Sequence, residues 1–316
     1  MNGAEARAWM DRVREAVHQA VVGRDLAVDQ ICTCLLADGH LLLEDLPGLG
    51  KTLLAKSFAQ ALGLSFSRIQ FTADLLPHDI TGGEMFDVKE QEFRFRPGPL
   101  FTHLLLADEI NRAPPKVQSA LLEAMQEFQV TSERATHPLE RPFLVLATQN
   151  PLELEGTYAL PEAQVDRFLM RIAIGYPTAT EEQAILRRRR ERKEDTATVP
   201  NILDLARFRE MQRSVEEVEV DPAIEQYVIA LVSATRTDPR VEVGSSPRGS
   251  LALLKLSRAR ALLEGRDFVV PDDVKSVALP GLGHRIVVKP EPWIRGVRGP
   301  QVVEAALERT PVPKVS

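Results

Sequence analysis

The chain has 316 residues, with 39 Lys and Arg against 45 Asp and Glu, so the net charge is −6. That length suits about two domains, one with a large core and one smaller. Mild acidity with intermixed signs argues against a nucleic-acid coat. No apolar stretch approaches the ~20 residues that span a bilayer, and Met1 to Asp11 lacks a basic region followed by an apolar core, so a cytoplasmic protein is expected.

Trp9, Val13 and Val17 recur at helical spacing between Ala4 and Ala20, and a turn at Gly23 leads to a second helix ending near Asp38. That second helix holds the two cysteines, Cys32 and Cys34. Two positions apart on a helix they point about 200° away from each other, which suits small apolar filler rather than a disulfide or a metal pair. The six histidines have no metal-ligand spacing, and His40, His78 and His284 read as local hydrogen-bonding residues.

An apolar run, Leu41-Leu42-Leu43, feeds the turn Glu44-Asp45-Leu46-Pro47-Gly48-Leu49-Gly50-Lys51-Thr52, which opens a helix from about Lys51 to Leu62. Backbone N–H groups on such a turn and at the new helix N-terminus converge on a polyphosphate. Lys51 adds a mobile positive charge and the Thr52 hydroxyl a ligand for Mg²⁺. Gly48, Leu49, Gly50 and Leu53 belong with them in the candidate nucleotide-binding set. The usual pattern has Gly where Asp45 stands, so the Asp45 carboxylate is expected to point away from the phosphates.

An alternating strand, Phe66 to Phe71, is followed by a segment, 72–100, that reads as a hairpin-like insertion, with Thr81-Gly82-Gly83, Phe93-Arg94-Phe95-Arg96 and Pro97-Gly98-Pro99. His103 to Ala107 is again apolar without interruption and ends in Asp108-Glu109. Strands covered on both faces are apolar at every position, so both runs read as strands of a parallel sheet. Ligands of such sheets bind beyond the carboxyl ends of the strands. Asp108 is placed to hold Mg²⁺, and Glu109 to orient and deprotonate an attacking water.

Pro114 to Phe128 reads as a helix with Val117, Leu121, Leu122 and Met125 on one stripe, and 130–142 as a polar hairpin. The strand Phe143 to Ala147 ends in Thr148-Gln149-Asn150. Asn150 there could hydrogen-bond the water or the γ-phosphate, or simply turn the chain before Pro151. A short helix from Pro161 carries Glu162, Asp166 and Arg167, a last strand runs from Leu169 to Ile174, and Gly175-Tyr176-Pro177 reads as a domain boundary.

Beyond it, a helix from Thr180 ends in Arg187-Arg188-Arg189-Arg190, a basic end that complements the helix dipole and reads as solvated. Asp221-Pro222, Ser246-Pro247-Arg248-Gly249 and Val270-Pro271-Asp272-Asp273 open further helices, the second burying Leu251, Leu254 and Leu256. Arg248 faces an unfavourable dipole in its first turn, which a nearby phosphate would explain. The expected division is a nucleotide-binding core 1–176, a helical domain 177–289 and a tail 290–316 with one short helix near 301–308.

Four runs stand in this order: Glu44-Asp45-Leu46-Pro47-Gly48-Leu49-Gly50-Lys51-Thr52, Asp108-Glu109-Ile110-Asn111-Arg112-Ala113-Pro114-Pro115, Ala147-Thr148-Gln149-Asn150-Pro151, and Leu160-Pro161-Glu162-Ala163-Gln164-Val165-Asp166-Arg167-Phe168. Together they resemble the MoxR family of AAA+ ATPases over about Val21 to Val287. The resemblance implies an α/β fold, a P-loop AAA+ core with a five-stranded parallel sheet followed by a small all-α lid. It implies that Lys51 and Thr52 are the Walker A pair, Asp108 and Glu109 the Walker B pair, Asn150 the first sensor and Arg248 the second. Arg167 matches the arginine finger that reaches the γ-phosphate on a neighbouring subunit, and Val22 and Gly23 lie in the segment that packs on adenine. ATP and Mg²⁺ are the implied cofactors. The implied assembly is a hexameric ring whose pore is lined by the insertions at 72–100 and 130–142. The implied role is chaperone-like remodelling of a client protein complex, commonly with a von Willebrand factor A domain partner. A nucleic-acid motor would need a basic-aromatic groove, for which Phe93-Arg94-Phe95-Arg96 is the one candidate. A non-hydrolysing scaffold would need no Glu109.

Overall fold

The computed structural model describes residues 1–132, 135–151, 157–194 and 197–314. Helices α1 (Gly3–Ala20) and α2 (Asp25–Leu36) precede strand β1 (Leu41–Glu44), and the phosphate-type turn leads into α3 (Lys51–Ala61). Strand β2 (Phe66–Gln70) and the short α4 (Pro77–Thr81) lead to an antiparallel hairpin, β3 (Gly82–Asp87) with β4 (Glu92–Pro97). Then come β5 (Leu104–Asp108), α5 (Pro115–Glu127), a second small hairpin of β6 (Gln129–Thr131) and β7 (Thr136–Pro138), β8 (Leu144–Gln149), α6 (Glu162–Val165) and β9 (Met170–Ile172).

Five strands make one parallel sheet in the order β2-β5-β8-β1-β9. Its central strands are apolar at successive positions because each face has its own cover. Leu41 and Leu43, Leu104 and Leu106, and Leu144 and Leu146 pack into the cluster with α1, α2 and α3. Leu42, Leu105, Ala107, Val145 and Ala147 face the opposite way, against Val117, Leu121, Leu122 and Met125 of α5. The apolar stripe expected on α5 is thus the one buried. The crossover helices also align the strands, so the carboxyl ends of β5, β8 and β1 lie side by side.

The β3–β4 hairpin leaves the sheet through a narrow neck. A Cβ on Gly82 (φ 81°) would stand 2.2 Å from the Arg96 carbonyl oxygen, and one on Gly98 would stand 2.3 Å from the Gly82 nitrogen. Only glycine admits that backbone-to-backbone approach. Phe86 and Phe93 pair across the hairpin with ring centroids 5.3 Å apart, while Phe95 stacks on His137 of the second hairpin at 3.7 Å. Strand alternation puts Arg94 and Arg96 on the face opposite Phe93 and Phe95. The four residues therefore do not form one basic-aromatic groove.

After Gly175, α7 (Ala179–Arg192) begins with a capping box of Thr178 and Glu181 and buries none of its side chains. Its basic end is only partly solvated: Arg187 and Arg190 are exposed, but Arg188 is half-buried and donates to the His18 carbonyl at the end of α1, because α7 packs beside that helix end. The helices α8 (Leu205–Glu216), α9 (Pro222–Thr237), α10 (Pro247–Leu263) and α11 (Pro271–Leu282) follow, with Asp221 and Ser246 as N-caps of α9 and α10. The buried side of α10 is Gly249, Ala252, Leu253 and Leu256, whereas Leu251 is 64% exposed. The expectation that Leu251 is buried is corrected by helical spacing: Leu253 and Leu256 set the face, and Leu251 lies about 200° from Leu253. A two-stranded ladder of β10 (Val241–Val243) and β11 (Val287–Val288) adds a feature to the helical unit that its periodicity did not suggest. Last come α12 (Pro290–Ile294) and α13 (Gly299–Arg309). In α13, Val302 and Val303 are buried in the same cluster as Leu253 and Leu256, and Ala306 is buried beside them on the helix.

Candidate functional site

Gly48 (φ 81°) and Gly50 (φ 82°) shape the loop after β1, and nothing stands within 4 Å of the place where a Cβ would sit on either. Both conditions favour glycine: the left-handed backbone, and an open concavity that a ligand backbone or phosphate can approach. Lys51 opens α3 and is buried, with its Nζ donating to the Asp45 carbonyl oxygen at 2.8 Å. Burial lowers its proton affinity, and the negative charges of Asp108, Asp45 and Glu109 oppose that effect. With its Nζ on a backbone carbonyl, Lys51 gains from an anion that replaces the lost solvation. Thr52 follows in the first turn, and Leu53 packs against the core.

The Asp45 side chain is turned away from the loop, as expected of it. Its Oδ2 accepts the N–H groups of Ile174 (2.5 Å) and Gly175 (2.8 Å), and its Oδ1 accepts that of Leu46 (3.1 Å). The positive φ that Asp could have adopted is not used, because Gly48 and Gly50 carry the turn.

On the next strands, register brings the end of β5 beside Thr148. The Thr148 hydroxyl is fully buried, donates to Asp108 Oδ1 at 2.6 Å and accepts the Glu109 N–H at 2.8 Å. Asp108 Oδ2 pairs with Arg68 of β2 at 2.7 Å. Glu109 sits at φ 57°, a left-handed conformation that costs about 1 kcal/mol or more for a residue with a Cβ. Its Oε2 accepts from Gln70 Nε2 at 2.7 Å and from Arg112 at 3.0 Å. Asn150 is buried immediately after β8. Lys51, Asp108, Glu109 and Asn150 thus share the carboxyl edge of the sheet.

Val22 and Gly23 lie in the turn between α1 and α2, beside α7. A Cβ on Gly23 (φ 64°) would overlap Glu181 Oε1. The adjoining Arg24 donates to the Ile174 carbonyl at 3.3 Å, so this turn meets the same 174–175 peptide that Asp45 holds.

Arg167 and Arg248 lie together elsewhere. They line a cavity of about 220 Å³ with Lys255, Arg285, Leu251 and Asp166. Arg248 is half-exposed and pairs with Asp166 Oδ2 at 3.6 Å, so a carboxylate is the described anion near its helix start. Arg167 Nε is buried with no partner among the described residues. Arg285 is almost fully buried, binds the Asp166 carboxylate and donates to the Phe168 carbonyl at 2.8 Å, fixing the segment that carries Arg167. Four cations meet one carboxylate in this cavity, so it favours an added anion.

Thr148, Arg68, Gln70 and Arg285 were not singled out from sequence. The signal for Thr148 is its place one residue beyond the apolar run of a strand flanking the acidic pair. Arg68 and Gln70 carry the matching signal, as outward positions of an alternating strand end.

Residues 40–170 match the ATPase family associated with various cellular activities (AAA), and residues 233–306 match the AAA lid domain. The chain is 45% identical over 300 residues to the uncharacterized protein YeaC of Bacillus subtilis, covering 95% of this chain and 93% of that one. It is 41% identical over 327 residues to the chaperone MoxR1 of Mycobacterium tuberculosis, covering 99% and 86%. A 2.00 Å crystal structure of a candidate ATPase from Cytophaga hutchinsonii superimposes with a TM-score of 0.92 at 39% identity, over 99% of this chain and 97% of that one. With a five-stranded P-loop sheet, a lid and full-length likeness to MoxR proteins, this chain belongs to the MoxR family of AAA+ ATPases.

Proposed function

We propose that the chain hydrolyses ATP in a homo-oligomeric ring, hexameric by family likeness, and uses the turnover to remodel a client protein complex. One observation carries the assembly-dependent part of this reading: Lys51, Asp108 and Glu109 lie on the sheet edge, while Arg167 and Arg248 line a separate cavity with excess positive charge. A site split this way is completed by a second copy that presents its cationic cavity to the phosphates. Both arginines then act in trans, Arg248 included, beside the Asp166 carboxylate that holds it at rest.

In each half-site the loop N–H groups and Lys51 bind the β- and γ-phosphates. Thr52 and Asp108, both oxygen donors, are the residues that would hold Mg²⁺. When bound, Mg²⁺ neutralises charge on the phosphates. Glu109 must leave Gln70 and Arg112 to orient and deprotonate the attacking water, and Asn150 positions that water or the γ-phosphate. Val22 and Gly23 border the base. Arg167 stabilises the charge that develops on the transferred phosphoryl, an effect worth about 10³ to 10⁵ in rate.

Residues 1–176 then serve as the core, 177–289 as the lid and 290–316 as a tail whose α13 packs on the lid. Lid motion after hydrolysis is passed to the hairpins at 72–100 and 130–142, of which the first exposes Met85, Phe86, Val88 and Phe93 to a client. A protein client suits this apolar, net-acidic surface better than nucleic acid does, and a von Willebrand factor A domain protein and a cytoplasmic setting follow from family likeness. Among the described residues no helix is long and apolar enough to cross a membrane.

Mixing Arg167→Ala with Lys51→Ala subunits tests the split site. Each variant alone is inactive, and mixed rings regain part of the activity at interfaces that join an intact Lys51 to an intact Arg167. Stable mixed rings without any recovery would refute the trans assignment.

A further inference from the structure

Asp45 occupies the loop position where glycine is usual, and it is 7% exposed. A carboxylate beside a polyphosphate site is electrostatically unfavourable, so the residue needs a reason to be there. Its contacts supply one. The carboxylate accepts three backbone N–H groups, two of them from Ile174 and Gly175. These are the residues at which the chain leaves β9 for α7, with Gly175 at φ 73° and Tyr176 71% exposed. The Asp45 N–H donates to the Gln149 carbonyl at 3.1 Å, next to Asn150, and the Asp45 carbonyl accepts Lys51 Nζ. One residue therefore touches the phosphate-binding lysine, the end of β8 and the hinge to the lid. Glycine at this position would keep the two backbone contacts and lose the carboxylate that holds the hinge.

We infer that Asp45 is a positioning residue that couples occupancy of the phosphate loop to the Ile174–Gly175 hinge. The inference rests on the proposed ATP-binding role of that loop. In the resting chain the Lys51 ammonium lies on the Asp45 carbonyl. An entering polyphosphate draws the ammonium to itself and off the Asp45 carbonyl. The residue that holds the hinge N–H groups loses that anchor, so the hinge loosens when the loop fills. The Arg24 bond to the Ile174 carbonyl keeps the peptide in place while its Asp45 bonds yield.

Hydrogen–deuterium exchange over 172–178, with and without saturating ADP, tests this in the full-length chain and in Asp45→Asn and Asp45→Gly. In the parent, ADP speeds exchange at 174–175 by about threefold or more. Both variants exchange there about tenfold faster than the parent without ADP, and ADP changes them little. Removal of the negative charge also tightens ATP binding several-fold in both variants while turnover falls, a split that simple loss of structure would not produce. Parent exchange indifferent to bound ADP, or a preserved ADP response in Asp45→Gly, overturns the inference. Weaker ATP binding in step with lost turnover in both variants also overturns it, because it marks a merely structural role. Failure of the parent to bind ADP at all overturns the ATP-binding reading instead.

Discussion

Acid should loosen this fold through one buried histidine. His40 lies just before β1, 6% exposed, between the rings of Phe128 and Phe143 at 6.2 and 6.1 Å. Its Nδ1 accepts the Val145 N–H at 3.2 Å and its Nε2 donates to the Met125 carbonyl at 2.9 Å, so the neutral ring ties β8 to the end of α5. Burial is the main reason that its pKa falls from the ordinary 6.5 to about 4. An unfolded chain carries a histidine of ordinary affinity, so between these values unfolding takes up a proton and falling pH favours the unfolded state. The stabilisation is complete above pH 6.5. The loss amounts to about 2 kcal/mol by pH 5 and about 3 kcal/mol by pH 4. Urea unfolding of the parent and of His40→Phe at pH 7, 6 and 5 measures it. Phe fills the space but cannot titrate, and it leaves the Val145 N–H and Met125 carbonyl unpaired, which lowers stability at pH 7 by about 2–4 kcal/mol. The parent should lose about 2 kcal/mol more than the variant between pH 7 and pH 5. Parallel pH profiles for the two proteins would refute the reasoning.

Glu109→Gln should bind ATP normally and release phosphate at least about a hundredfold more slowly, as measured in single-turnover assays. Hydrolysis at the parent rate would remove Glu109 from water activation. Thr148→Val keeps the shape but leaves the Glu109 N–H unpaired and takes a donor from Asp108; a stability loss of about 2–4 kcal/mol in urea titration is expected, with Thr148→Ser near the parent. Equal stability of the Val variant and the parent would show that this hydroxyl does not organise the sheet edge.

Residues whose environment is set locally were legible in the sequence. The β1 and β5 strands declared themselves because burial on both faces removes every polar position, and Gly48 and Gly50 because their backbone needs no Cβ. What escaped depends on register between distant segments. Thr148 meets Asp108 only because β5 and β8 align Ala107 with Ala147. The tie from Asp45 to Ile174 spans 129 residues, and Arg285 reaches Asp166 across 119. Arg248 in the first turn of α10 suggested a phosphate, but the anion described beside it is the carboxylate of Asp166, just past the end of α6. No pattern within α10 names that partner.

The two-glycine neck of the β3–β4 hairpin has a mechanical consequence. Six residues per strand give an arm about 20 Å long. Because Gly82 and Gly98 press backbone on backbone, a sideways bend at the root would drive backbone into backbone, and a tilt of the arm would carry α4, anchored by the buried Ile80, with it. A tilt of about 10° at the root carries Val88, 80% exposed at the far end, through about 3 Å. Shifts too small to disturb the packed core thus become strokes the length of one β-strand residue.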